Sequence, residues 1–170
     1  MIADLRGLTS MSERLPAESV VEMINIFLAI FGAPLQRPDD SLRAIRCAID
    51  MQMAIKEVNP QFRQRSYPEV EMGIGLHTGE VIVGNIGSYK RSKYGVVGRV
   101  VNTASRIESY SIGGQILISE STLSDCGAEL RIDDKMKVMP KGIAHAMTIY
   151  DVGGIIDDNI SQLPEKTMKC

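Results

Sequence analysis

Tryptophan is absent from the 170 residues, and phenylalanine occurs only three times. An interior without large rings must be filled by aliphatic and thioether side chains, and the ten methionines suit that task because an unbranched side chain adapts to irregular gaps. Cysteine is scarce too. Cys47, Cys126 and Cys170 are odd in number, far apart and without a CxxC pair. That argues against a disulfide framework or a cysteine zinc site, and it makes a reducing, cytoplasmic setting the simplest expectation. The chain has no run of 18 apolar residues, and its opening MIADLRG has no apolar signal core. It therefore reads as carrying neither a membrane span nor a signal peptide, with any anchor left to a longer parent protein. Charge of one sign is lacking as well: the formal net charge is −2, and the only basic cluster is KRSK at Lys90 to Lys93. Nothing electrostatic calls for nucleic acid. The GxSxG elbow and the GxxxxGK[ST] loop are missing, so the common acyl-transfer and P-loop chemistries fail.

What is present fits one domain, since a chain of this length can bury about 70% of the surface its unfolded form exposes. Helices and strands interleave, which favours a layered α/β or α+β sheet. The stretch NIFLAIFGAP, residues 25 to 34, poses a problem: Val20, Ile24, Phe27 and Leu28 recur at helical spacing, yet Leu28 to Phe31 followed by Gly-Ala-Pro reads as a short buried strand. Helix runs into strand without punctuation. From an Asp39-Asp40 cap a second helix follows, with Ala44, Cys47, Ala48, Met51, Ile55 and Val58 on one face and Asn59-Pro60 at its end. Val70 to Leu76 alternates with period two and, through Thr78-Gly79, turns into Glu80 to Ile86 as a β-hairpin. Gly73, Gly75 and Gly84 on its second face predict close approach of another backbone or a ligand. A strand at Lys93 to Val97, a helix from Val100 to Ser109, a strand at Gln115 to Ser119, a short helix capped by Ser119 and two closing strands follow. The residues after Gly154 read as a mobile tail.

Three groups of residues could carry chemistry. Asp4 to Ser10, DLRGLTS, delivers a carboxylate beside a glycine turn whose N–H groups could face phosphates, although an Asp capping a turn is the plainer reading. Asn102 and Arg106, i and i+4, share one helix face and could orient a sugar and stabilise developing charge, although exposed helices commonly carry such pairs. His77 ends a strand with no metal-spaced partners, which favours a structural role.

Taken in order, IADLRGLTSMSE, IFGAPLQRPDD, GIGLHTGEVIVGNIGS, KYGVVGRVVNTASRIES, GGQILIS and PKG strongly resemble the catalytic domain of class III nucleotidyl cyclases, the bacterial adenylate/guanylate cyclase family. The match runs from Ile2 to about Val152. The resemblance implies a ferredoxin-like α+β fold, a domain over 1–154 with a tail over 155–170, and a head-to-tail homodimer with active sites at the interface. It further implies conversion of ATP or GTP to the 3′,5′-cyclic nucleotide and pyrophosphate, with two Mg²⁺ or Mn²⁺ ions, and a regulatory domain in a longer parent. By position, Asp4 and the Leu5 carbonyl would bind metal, and Gly7, Leu8, Thr9 and Ser10 would cradle the triphosphate. Asn102 would orient the ribose and Arg106 would stabilise the transition-state phosphate, both from the opposite protomer. Gly95 falls where many members read the base edge with a side chain, which leaves base preference open.

One departure stands out. Between the helix near Leu28 and FGAP the family has a helix end and a hairpin carrying a second metal-binding Asp; roughly 25 residues, by ordinary element lengths, have no counterpart here. The resulting gap predicts an unpaired sheet edge unless the chain rearranges. Two functions therefore stay open: a cyclase, or a degenerate cyclase homology domain serving as a dimerisation or nucleotide-sensing module. A cyclic-di-nucleotide synthase would need a GGDEF-type turn, and there is none.

Overall fold

The computed structural model describes residues 1–6, 26–88, 91–143, 145–156 and 162–164. Six strands form one sheet: β1 (Ile2–Arg6), β2 (Ile26–Leu28), β3 (Glu71–Leu76), β6 (Ile116–Ser119), β7 (Leu130–Val138) and β8 (Met147–Ile155). Their order is β2-β1-β3-β6-β8-β7, with β3 and β6 parallel and every other neighbouring pair antiparallel. Two further strands, β4 (Ile82–Ser88) and β5 (Arg91–Val97), pair only with each other. Helices α1 (Asp40–Gln64), α2 (Arg99–Ser109) and α3 (Glu120–Asp125) complete the described elements.

The period of two sorts side chains onto opposite faces of the sheet. Ala3, Met72, Ile74, Leu76, Ile116 and Ile118 pack with Ala44, Ile45, Ala48 and Ile49 of α1. Leu117 and Ile149 face the other way and pack with Ile107 of α2 and with Val138. Burying Ile45, Ile49, Ile74, Ile116 and Ile118, each fully enclosed, contributes roughly 1.5–3 kcal/mol per side chain.

Four expectations change. The strand near FGAP is Ile26–Leu28, not Leu28 to Phe31, so Phe27 and Leu28 are not helical; the upstream helical positions Val20 and Ile24 lie outside the described residues. The reason is tertiary: Ile2, Ala3 and Asp4 offer a free strand edge, which Leu28, Phe27 and Ile26 fill, and the Ala29 N–H extends the ladder to the Met1 carbonyl at 3.0 Å. The chain thus closes the edge that the shortened sequence left open. Helix α1 runs through Pro60 to Gln64, because Phe62 packs on Val70 and Tyr67 and holds the last turns. Asp39 makes no side-chain cap; the Asp40 carboxylate instead accepts the Arg37 N–H at 2.7 Å. Finally, β3 and β4 form no hairpin, since both edges of β3 are taken by β1 and β6.

In the expected tail, Leu163 is buried, its N–H bonds to the Gly153 carbonyl at 2.8 Å, and Gln162 bridges to Gly154. Strand β6 reaches only as far as Asp151 of β8, so these residues take up the edge beyond it. No helix among the described residues is long and apolar enough to cross a membrane.

Candidate active site

Asp4 sits in β1 opposite Gly73 on one side and Ile26 on the other, half-buried. Alternation puts it with Ile2 and Arg6 on the face covered by α2, while Leu5 packs toward the α1 core. Strand β2 stops opposite Asp4, so among the described residues β1 has no strand beside Leu5 and Arg6 on that edge. Gly7, Leu8, Thr9 and Ser10 lie outside the described residues.

Helix α2 can lie close on this face because β3 offers glycines. A Cβ on Gly75 would stand 2.4 Å from the Glu108 amide nitrogen and 2.7 Å from the Ala104 carbonyl oxygen, and one on Gly73 would stand 2.1 Å from Ser111 Oγ. The predicted close approach is made at Gly75 by the α2 backbone and at Gly73 by the Ser111 and Arg6 side chains, whereas Gly84 has nothing within 4 Å among the described residues. Ala104, Ile107 and Glu108 turn inward. Asn102 is exposed, and Arg106 one turn later is half-buried, its guanidinium lying over Gly142. Arg106 Nη1 is enclosed and has no hydrogen-bond partner among the described residues. An enclosed guanidinium N–H without an acceptor is costly, and a phosphate oxygen is the kind of partner its fork suits.

The fold thus brings Asn102 and Arg106 together, and Asp4 and Leu5 together, but on different sides of α2. Gly95 in β5 pairs with Gly84, and a Cβ there would meet only the Ile86 side chain at 3.3 Å and the fringes of Ile86 and Lys93. Among the described residues no cluster of three or more His, Cys, Asp or Glu side chains is arranged to hold a metal ion. The donor set at β1, one carboxylate plus backbone carbonyls at an open edge, has the hard-oxygen chemistry of Mg²⁺ or Mn²⁺ and fits a single ion completed by substrate phosphates. A cleft of about 910 Å³ between Phe31, Gly32, His77, Val97 and Val100 is lined by none of Asp4, Leu5, Gly95, Asn102 or Arg106.

Two polar groupings escaped the sequence reading. Arg6 Nη2 donates to Glu108 Oε1 and to Ser111 Oγ, both at 3.1 Å. Burial, reinforced by the nearby Asp4 charge, raises the Glu108 carboxyl above the ordinary range against the opposing pull of Arg6. The second grouping links Asp125, Ser41, Thr78, Thr122, Ser119 and His77 through contacts of 2.6 to 3.1 Å. Ser119 also caps α3, accepting the Thr122 N–H, as its position before a short helix predicts. His77 is satisfied by Ser119 at 2.8 Å, and burial holds its pKa below the free-imidazole value, a structural histidine in keeping with expectation. The signal for the first grouping was available: Arg6 shares a strand face with Asp4, and the glycines opposite mark where a helix must seat.

The adenylate and guanylate cyclase catalytic domain family matches residues 1–153, and the chain belongs to that family. An adenylate cyclase of Anabaena cylindrica is 32% identical over 180 residues, covering 89% of this chain and 36% of that protein. Adenylate cyclase 1 of Rhizobium meliloti is 27% identical over 181 residues, covering 92% of this chain and 27% of that protein. The chain therefore spans about a third or less of the length of these curated relatives. Both alignments are longer than the part of this chain they cover, so the relatives carry residues here that this chain lacks, in agreement with the short junction before FGAP. Among solved structures, the guanylyl cyclase Cya2 superposes with a TM-score of 0.89 at 42% identity, covering 95% of this chain and 94% of that one. The adenylyl cyclase CyaB from P. aeruginosa superposes with a TM-score of 0.83 at 30% identity, covering 89% and 90%. The α+β fold expected from the resemblance is the fold of these catalytic domains.

Proposed function

We propose that the chain is a nucleotidyl cyclase catalytic domain, a phosphorus–oxygen lyase that converts ATP or GTP into the 3′,5′-cyclic nucleotide and pyrophosphate. The observation that carries this reading is the division of polar groups across α2: a strand-borne carboxylate beneath the helix and an Asn–Arg pair outside it, one of whose donors is enclosed without an acceptor among the described residues. A head-to-tail homodimer would bring one protomer's Asp4 and the other's Asn102 and Arg106 to one nucleotide.

In this arrangement Asp4 and the Leu5 carbonyl bind the metal-bearing triphosphate and Gly7 to Ser10 hold its phosphates, while the partner's α2 presents Asn102 to the ribose and Arg106 to the reacting phosphate. Mg²⁺ or Mn²⁺, when bound, supplies charge neutralisation at the phosphates. The protein's own task is then positioning the 3′-hydroxyl in line with the α-phosphate and stabilising the charge that develops. The second carboxylate of a two-ion site has no counterpart, so the rate should fall about a hundredfold or more below that of a complete site. Gly95 provides no side chain to select the base, which supports acceptance of either nucleotide. A regulatory domain in a longer parent protein, cytoplasmic placement of the domain and the homodimer all belong to this proposal. The match of catalytic domains to residues 1–153 favours the enzyme over a non-catalytic module.

The test is cyclic nucleotide formation from ATP and from GTP with Mn²⁺, by the unmutated chain and by Asp4→Ala. Product above the Asp4→Ala level supports the reading; equal traces would overturn it.

A further inference from the structure

The ion pair beneath α2 joins two parts that, in the proposed dimer, serve different active sites. We infer that Arg6 and Glu108, with Ser111, are positioning residues that hold the strand end bearing Asp4 and the helix bearing Asn102 and Arg106 as one rigid unit. Each protomer's contributions to its two interface sites are then coupled inside the protomer. The inference rests on the proposed cyclase reading and adds to it a link between the sites.

The geometry is specific. Arg6 lies two residues beyond Asp4 on the same strand face, and Glu108 lies two residues beyond Arg106 on the inward side of the helix. Arg6 Nη2 bonds both Glu108 Oε1 and Ser111 Oγ at 3.1 Å, and Ser111 Oγ donates in turn to the Glu108 carbonyl at 2.7 Å. The fork therefore grips the side chain of the last helical turn and the residue just past it. Side-chain exposure is 34% for Arg6 and 12% for Glu108, so the carboxylate is largely shielded while the guanidinium stays partly open to water.

Packing alone does not set the helix here. Under this part of α2 the sheet presents Gly73 and Gly75, and the apolar contacts of Ile107 lie further along the sheet, with Leu117, Val138 and Ile149. A glycine floor lets a helix slide, and a charged fork pins it. Arg6 also keeps an enclosed Nε without a partner among the described residues, a cost that an apolar residue filling the same space would not carry. Positional errors near 1 Å at a reacting centre cost up to about a hundredfold in rate, so such a pin has a direct catalytic consequence.

The experiment uses mixed dimers of two differently tagged full chains, one carrying Asp4→Ala and the other Arg106→Ala. Each variant alone has no intact site, whereas the mixture has one, built from the second copy's Asp4 and the first copy's Asn102 and Arg106. Adding Arg6→Met to the Asp4→Ala copy, whose own metal strand is already dead, should lower kcat about tenfold with the Mn²⁺ requirement unchanged. Arg6→Lys in the same copy should restore part of the loss, and Glu108→Gln, which preserves shape, should reproduce the loss if Arg6→Met folds poorly. In the metal-free protein, amide exchange over residues 104–110 should quicken in Arg6→Met but not in α1. An unchanged kcat in that mixed dimer overturns the coupling while leaving the cyclase reading intact. A mixed dimer with no activity beside an active unmutated chain overturns the shared-site reading, and the coupling with it. Unchanged amide exchange over 104–110 overturns the tie whatever the activity.

Discussion

The two faces of the sheet are built by different rules. Against α1, the strands present Ala3, Met72, Ile74, Leu76, Ile116 and Ile118, all closely packed and apolar. Against α2, the sheet presents Asp4, Arg6, Gly73 and Gly75 beside the apolar Leu117 and Ile149, and the helix and the residues just past it reply with Ile107, Glu108 and Ser111. One face buys stability through area removed from water; the other accepts polar, partly satisfied contacts in return for fixed geometry. Of the candidate residues, Asp4 belongs to the second face, and Asn102 and Arg106 belong to the helix that covers it. A domain can place a carboxylate and a guanidinium within a stable fold only if some other surface carries the folding free energy, and here α1 and its strands do so.

Substitutions can break this contrast. The largest effect is expected at Ile49, fully buried on the sheet-facing side of α1: Ile49→Ala should destabilise by about 2–5 kcal/mol in urea unfolding, with little change in activity per folded molecule. An activity loss in the remaining folded fraction would contradict the separation of faces. Asp4→Ala should do the opposite, lowering product formation by about a hundredfold, near 3 kcal/mol of barrier, with an almost unchanged melting temperature. Gly75→Ala tests the seam between helix and sheet, since its new methyl would stand 2.4 Å from the α2 backbone. It should cost about 1–3 kcal/mol and reduce activity as well, because the helix it displaces bears Asn102 and Arg106.

The smallest effect is a pH dependence on the α1 side. Burial lowers the His77 pKa in the folded protein, so below about pH 6.5 the unfolded chain takes up a proton that the folded one refuses. His77 thus contributes stability above its unfolded pKa that is lost as pH falls toward its folded one. Urea midpoints at pH 7.5 and 5.5 should differ more for the unmutated chain than for His77→Asn; equal differences would remove His77 as the cause.

Much of this architecture was readable before any coordinates. Alternation in Val70 to Leu76, the helix from Val100 to Ser109 and the Ser119 cap are local patterns, fixed by side-chain period and by a hydroxyl one position ahead of a helix. The glycine spacing in β3 correctly announced a close neighbour, without saying which. Pairing was another matter. Nothing local distinguishes β3 paired with β4 from β3 wedged between β1 and β6, because strand neighbours are chosen by the whole chain. For the same reason Ile26–Leu28 became a strand: its helical spacing lost to a free edge far away in sequence.

By itself the sequence determined the family, through six ordered motifs, and it determined which ionisable side chains exist. The scarcity of rings likewise leaves an aliphatic interior, although of the methionines among the described residues only Met72 is buried. Only the tertiary structure decided that Asp4 lies under α2 while Asn102 and Arg106 lie outside it, and that Arg6 reaches Glu108 across more than a hundred residues. The physical reason is range. Propensity, periodicity and capping act over a few residues, whereas which face of which strand meets which helix depends on close packing and on a few charged contacts that exist only once the chain has closed.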